Sequence, residues 1–254
     1  MTQTQKNKEN SITQGVIWKQ LLLFFFPILI GTFFQQLYNT VDTIVVGQYV
    51  GTSALAAVGT TGTWINLLVG FFVGVSSGAT VIISQFFGAG DAKNVSKAVH
   101  TSMALALAGG LIIMVAGLLT SRVSLELLGV PEEIMGDALT YMNVYYCGII
   151  ASMIYNVGTG VLRAIGDAKM PLYVLIVCCL VNIVLDLLFV LVFHWGVFGV
   201  AFATVLSQVV SAVLIMLRLM LTRESYRVEL KKIRFDRSIL KNVIRIGLPA
   251  GLQS

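Results

Sequence analysis

Two carboxylates stand where this chain can least tolerate them. Of its twelve acidic residues, only Asp42 and Asp186 fall within long apolar stretches rather than in the polar breaks between them. A carboxylate at membrane depth costs about 2.5–3.5 kcal/mol even on a lenient insertion scale, so each needs a reason: a protonated carboxyl packed between helices, or ion and proton handling in a hydrated cavity. Counted inward at helical rise, Asp42, Asp186 and Thr204 lie about 8, 10 and 12 Å deep on three different segments, with Tyr141 close in depth on a fourth. Asn182 stands four residues before Asp186 and shares its helical face. Two carboxylates, an amide and a hydroxyl supply hard oxygen ligands without sulfur or imidazole. That set suits Na⁺, or a carboxyl that loads and releases a proton, rather than a transition metal. The residue types admit either ion.

A second polar stripe accompanies Asp42: Gln35, Tyr38 and Asn39 precede it at helical spacing on one face. Such a stripe serves as helix–helix hydrogen bonding inside a bundle or as the wall of a cavity, and Asn143, Tyr155 and Asn156 admit the same two readings. Other chemistries find no footing. There is no GxxxxGK[ST] phosphate loop, so ATP hydrolysis is not expected, nor is there a nucleophile–base pair or metal cluster that would make an enzyme. Cys147, Cys178 and Cys179 all lie in apolar stretches without metal-ligand spacing and read as small packing residues. His100 and His194 stand alone at the ends of stretches and read as interfacial histidines. Asn94-Val95-Ser96 matches a glycosylation acceptor on the expected cytoplasmic side, where it is a chance match.

The elements that must carry these residues follow from composition. Of 254 residues, 57% are hydrophobic and 11% charged, against about 25% charged in soluble domains. The apolar residues fall in blocks at about 18–47, 53–87, 97–121, 137–162, 170–193 and 196–222, each long enough to cross ~30 Å of hydrocarbon. Helix satisfies the backbone within each segment, and the blocks lack the alternation of a membrane barrel. The expectation is an all-α, polytopic membrane protein, which excludes a soluble enzyme, a nucleic-acid-binding domain and a disordered chain. The first block is too long for the core of a signal peptide and reads as a retained helix.

Charge placement sets the topology. With the N-terminus inside, sixteen of the seventeen Lys and Arg residues fall on the inner side and only Arg122 outside. The expected location is the cell (inner or plasma) membrane, multi-pass, with a cytoplasmic N-terminus. The net charge of +5 then belongs to a topology anchor rather than to a nucleic-acid surface. The expected units are a cytoplasmic tail over 1–17, a six-helix lobe over 18–222, a basic linker over 223–238 and the start of a seventh helix over 239–254. The last segment, with Gly247, Pro249 and Gly251, echoes Pro27 and Gly31 in the first helix, as the opening of an internal repeat would.

Four local patterns resemble the multidrug and toxic compound extrusion (MATE) transporters. They are Pro27 through Asp42-Thr43-Ile44-Val45-Val46-Gly47; Ser84-Gln85-Phe86-Phe87-Gly88-Ala89-Gly90-Asp91; Leu162-Arg163-Ala164-Ile165-Gly166-Asp167-Ala168-Lys169-Met170-Pro171; and Gly196 to Gln208 with Gly199, Ala203-Thr204 and Ser207-Gln208. The resemblance implies the six-helix N-lobe of a 6+6 transporter plus the start of helix seven. It further implies an exporter that exchanges Na⁺ or H⁺ for small, often cationic, organic drugs and uses no other cofactor. By the same resemblance, Asp42, Asn182, Asp186 and Thr204 would hold the coupling ion, Tyr141 would adjoin it, and Pro27 would be a conformational hinge. Gln35, Tyr38 and Asn156 are candidates for a substrate cavity. The expected partners are drug-like molecules, the bilayer and a second lobe lying beyond this chain, which a complete transporter requires. Two other readings stay open: a lipid-linked oligosaccharide flippase of the same superfamily, and a non-transporting membrane remnant.

Overall fold

A computed structural model describes residues 17–253 and is helical wherever it is regular. The expected tail with Lys6 and Lys8 lies outside the described residues, as does Ser254. Helix α1 spans Ile17–Val45 and ends in a wide turn, Val46–Val50; α2 spans Thr52–Gly88, α3 Ala92–Leu127 and α4 Glu132–Ala164. Helix α5 spans Lys169–Leu187 and is prolonged by a second wide turn, Leu188–Val192; α6 spans Gly196–Leu221, and α7 spans Arg237–Gln253 beyond a linker. Helices α2 to α6, counting α5 with its wide turn, have the length and apolar composition to cross a membrane. The 29 residues of α1 give it a length of about 43 Å, also enough to span.

Several helices run beyond the apolar blocks at their polar ends. Helix α3 begins at Ala92 rather than 97 because Asp91 caps it: its Oδ1 accepts the Asn94 N–H at 3.1 Å and its Oδ2 accepts from the Asn94 amide at 2.7 Å. This uses the asparagine of the chance glycosylation match. Asp167 caps α5 in the same way, accepting the Met170 N–H at 3.1 Å, and also faces Arg218 at 3.8 Å. Capping side chains supply acceptors to the unpaired N–H groups of a first turn, and a count of apolar residues does not register them.

Helix α4 is the axis of the bundle, packed along α2, α3 and α6, while α5 lies between α1 and α6. Apolar side chains on the outside, such as Leu119, Ile112 and Val184, remain exposed to the surroundings. With hydrocarbon on that side, helix association depends on close packing rather than on escape from water. Two crossings show this packing. On the α4–α6 seam, any side chain at Gly148 would run into Val205, and one at Gly158 into Ile215. Where α7 lies on α2, Gly74 and Gly78 meet Gly251 and Gly247 backbone to backbone.

The linker is fastened to the bundle. His100, expected as an interfacial residue, is buried: its Nδ1 donates to the Ser96 carbonyl at 2.6 Å and its Nε2 accepts the Glu229 N–H at 3.0 Å. At the next residue, the Thr101 hydroxyl donates to the Arg234 carbonyl and accepts the Asp236 N–H at 3.2 Å. Asp236 accepts from the Ser238 and Ile239 N–H groups, capping α7, and faces Lys97 at 3.6 Å. The Ile239 N–H, then Lys97 and the Ser238 N–H, hold the Asp236 carboxyl below the usual carboxylate range. The folded value is depressed, so the cap contributes above the ordinary carboxylate range and is lost as pH falls through the lowered one.

Candidate cation site

Four helices deliver the site. Asp42 comes from the last turn of α1, Asn182 and Asp186 from α5, Thr204 from α6 and Tyr141 from α4, and all five are buried, Asn182 and Asp186 completely. Close approach of α1 to α5, with Gly31 against Leu172 and Leu175, brings the two carboxylate helices side by side. Asp42 and Asp186 face each other closely enough to interact, and Tyr141 lies beside both. Tyr38 lies against Asp42, Tyr141 and Thr204. A small apolar cluster including Val45, Val46, Val190, Val197 and Val200 packs around Tyr141 and shields the site.

The donor balance is unusual. Among the described residues, Asp42 Oδ1, both Asp186 oxygens and both polar atoms of the Asn182 amide have no hydrogen-bond partner. The Thr204 hydroxyl is occupied, donating to the Val200 carbonyl at 3.1 Å. Buried polar groups are normally paired, and leaving one unpaired costs about 1–3 kcal/mol. Two carboxylates can hydrogen-bond each other only when one carries a proton, because each ionised group only accepts. Four of these five atoms are oxygens that accept, and the Asn182 amide nitrogen alone among them donates, so the seat is rich in acceptors and has no positive charge of its own.

The two wide turns were not legible from residue spacing. Immediately beyond Asp42, the Gly51 N–H donates five residues back to the Val46 carbonyl at 3.0 Å. Shortly beyond Asp186, the Phe193 N–H does the same to the Leu188 carbonyl at 3.1 Å. The turns touch each other, so both carboxylate helices are over-widened on the same side of the site. Such π-turns recur at functional positions in helices. The hairpin that follows turns through His194 and Gly196, both at positive φ, beneath stacked Phe189 and Trp195.

The cavity candidates do not form one wall. In the α1 stripe, Asp42 turns inward and Tyr38 is half-buried, whereas Gln35 and Asn39 are exposed. Asn156 lies fifteen residues along α4 from Tyr141, about 22 Å away along the axis, and donates to the Ser152 carbonyl at 2.8 Å. An open groove of about 510 Å³ is lined by Gly59, Thr60, Thr63, Trp64, Leu67 and Leu128, none of which the sequence singled out. Pro27 is buried within an unbroken α1.

These features can be set beside known proteins. The family model MatE matches residues 27–188. The probable multidrug resistance protein YpnP of Bacillus subtilis is 32% identical over 247 residues, covering 97% of this chain and 55% of the relative. The probable multidrug resistance protein NorM of Thermotoga maritima is 28% identical over 246 residues, covering 94% and 52%. A solved outward-facing multidrug resistance MATE family transporter of the MOP superfamily superposes with a TM-score of 0.85 at 31% identity, covering 92% of this chain and 52% of that one. The chain thus spans about half the length of the curated relatives it matches. Matched through the helices that carry Asp42, Tyr141, Asn182 and Asp186, the chain belongs to the MatE family of multi-pass membrane transporters.

Proposed function

We propose that this chain is the N-terminal lobe of a cation-coupled multidrug efflux antiporter. The observation that carries the reading is the seat itself: two carboxyl groups on separate helices and an amide beside one of them, all buried, with five polar atoms unpartnered among the described residues. Two carboxyl groups crowded together with few donors are costly in a dry interior, and one bound H⁺ or Na⁺ removes most of that cost. Loading would draw α1 towards α5, and unloading would let the two carboxylates part. Coupling requires only that the cation favour one arrangement of the lobe and the drug the other.

Pro27 lies fifteen residues before Asp42 on the same helix, at a point where the missing N–H leaves a carbonyl without its helical donor. We place the bend of α1 there. The basic linker end is assigned to the cytoplasm because the cations cluster on that side. The exported compounds are small organic molecules, often cationic. The named multidrug relatives support this class, and the second lobe of such proteins would complete the cleft.

Efflux by the intact protein tests the reading. In vesicles loaded with a fluorescent organic cation, an imposed inward H⁺ or Na⁺ gradient should drive export. Asp42→Asn should reduce that export at least tenfold while membrane insertion stays normal. Undiminished export by the variant would remove Asp42 from the mechanism and the reading with it.

A further inference from the structure

Below the cation site, towards the linker end, the interface of α4, α5 and α6 stays polar. Tyr141 stacks over Tyr145, with ring centroids 6.4 Å apart, and the Gln208 amide reaches the Tyr145 hydroxyl at 3.3 Å. Tyr145 also lies against Ser152. At the same level Cys178 donates to the Ser207 carbonyl at 3.3 Å; it also lies beside Ser211, one turn further, and Tyr155 sits between Cys178 and Thr159. Gln208 Oε1 and the Thr159 hydroxyl are buried without a hydrogen-bond partner among the described residues. Interhelical hydrogen bonds use part of this run, but two buried polar atoms without a protein partner call for water or an ion beside them.

The polar run then stops. Val174, Ile215 and Leu219 are buried together in one apolar cluster with Val161 and Leu162, and Ile215 is pressed against the bare backbone of Gly158. Immediately beyond lie exposed Arg163 and the Arg218–Asp167 pair. Ser211 precedes Arg218 by seven residues, so the apolar layer is about 10 Å thick along α6, and the Thr159 hydroxyl lies beside it at the level of Ile215.

We infer that the polar run is a hydrated, blind extension of the cation site, and that the layer at Val174, Ile215 and Leu219 is the seal that keeps cations from leaking through the lobe to the linker side. This role rests on the cation reading proposed above. An exchanger must never open its ion site to both sides at once, and here that apolar layer is the barrier. The close fit at Gly158 leaves no room for water between α4 and α6 at that level, so the barrier depends on the volume of the Ile215 side chain.

Two measurements on the intact protein in vesicles test this. With Cys147 and Cys179 replaced by serine, Cys178 should react with a small, charged, membrane-impermeant thiol reagent from the site side only. In an Ile215→Ser background it should react from both sides. Ile215→Ser should also raise passive H⁺ or Na⁺ leak, without drug, at least tenfold. Val174→Ala, a smaller opening of the same layer, should raise it at least threefold and serves if the serine variant does not fold. A Cys178 that is silent from both sides until the protein is denatured, or folded seal variants no leakier than wild type, would overturn the inference. Efflux that survives Asp42→Asn while Cys178 still reacts would instead count against the cation reading alone.

Discussion

Asp186→Asn is expected to give a protein that inserts and folds, melts no lower than wild type, and exports at least tenfold more slowly. The two halves of this result have one cause. Asp186 is fully buried, both of its oxygens are unpartnered among the described residues, and its nearest charged neighbour is another carboxylate. An ionised group in that position is a liability to the fold. Replacing it by a neutral amide of the same shape removes a desolvation cost on the order of 1–3 kcal/mol. The same replacement deletes the charge that the coupling cation would answer. A residue kept for stability would behave oppositely, losing melting temperature and sparing transport. On the proposal that Asp42 and Asp186 act on one bound ion, the double Asn variant should export no less than either single one, a failure of additivity that marks a shared site. Thermal unfolding in detergent and vesicle efflux read the two halves separately.

The second large effect concerns α7. Gly247→Leu should strip α7 from α2, costing about 3 kcal/mol or more, because the obstacle is the Val75 backbone rather than a movable side chain. Gly78→Ala should already be felt, since a Cβ there would come within 2.6 Å of the Gly247 nitrogen and 2.5 Å of the Val243 carbonyl oxygen. Gly59 on the same helix is the control: a Cβ there meets nothing within 4 Å, so Gly59→Ala should be neutral or stabilising, by up to about 1 kcal/mol of helix propensity. Hydrogen exchange over residues 237–253 should rise in the Gly247 and Gly78 variants and stay unchanged in the Gly59 variant. Equal behaviour of all three would show that the crossing contributes nothing to holding α7.

These effects separate what residue order displays from what only the fold reveals. The membrane helices were legible because hydrocarbon demands long apolar segments, and Asp42, Asp186 and Thr204 were legible because polarity at depth is costly enough to stand out singly. Their convergence with Asn182 and Tyr141 followed from matching depths, since antiparallel helices of equal length place equal depths side by side. Three features were not legible. The wide turns after Asp42 and Asp186 come from a one-residue change in hydrogen-bond partner that Val, Leu and Gly do not announce. The His100 clasp joins residues 129 apart in sequence, so a lone histidine at a helix end gave no sign of its burial. The α2–α7 crossing depends on atoms that glycine lacks, and a missing side chain leaves the same mark in a sequence whether it meets a backbone, as at Gly78, or open space, as at Gly59.

The central claim is that Asp42 and Asp186 hold a cation that the exported compound displaces. Release of that cation from purified protein measures it without a membrane or a gradient. A saturating organic-cation substrate added in weak buffer should release about one H⁺ per molecule, read by a pH dye, or about one Na⁺, read with a radioactive tracer. Asp42→Asn and Asp186→Asn should each abolish the release. Substrate binding with no cation released, or an equal release from both variants, would contradict the account.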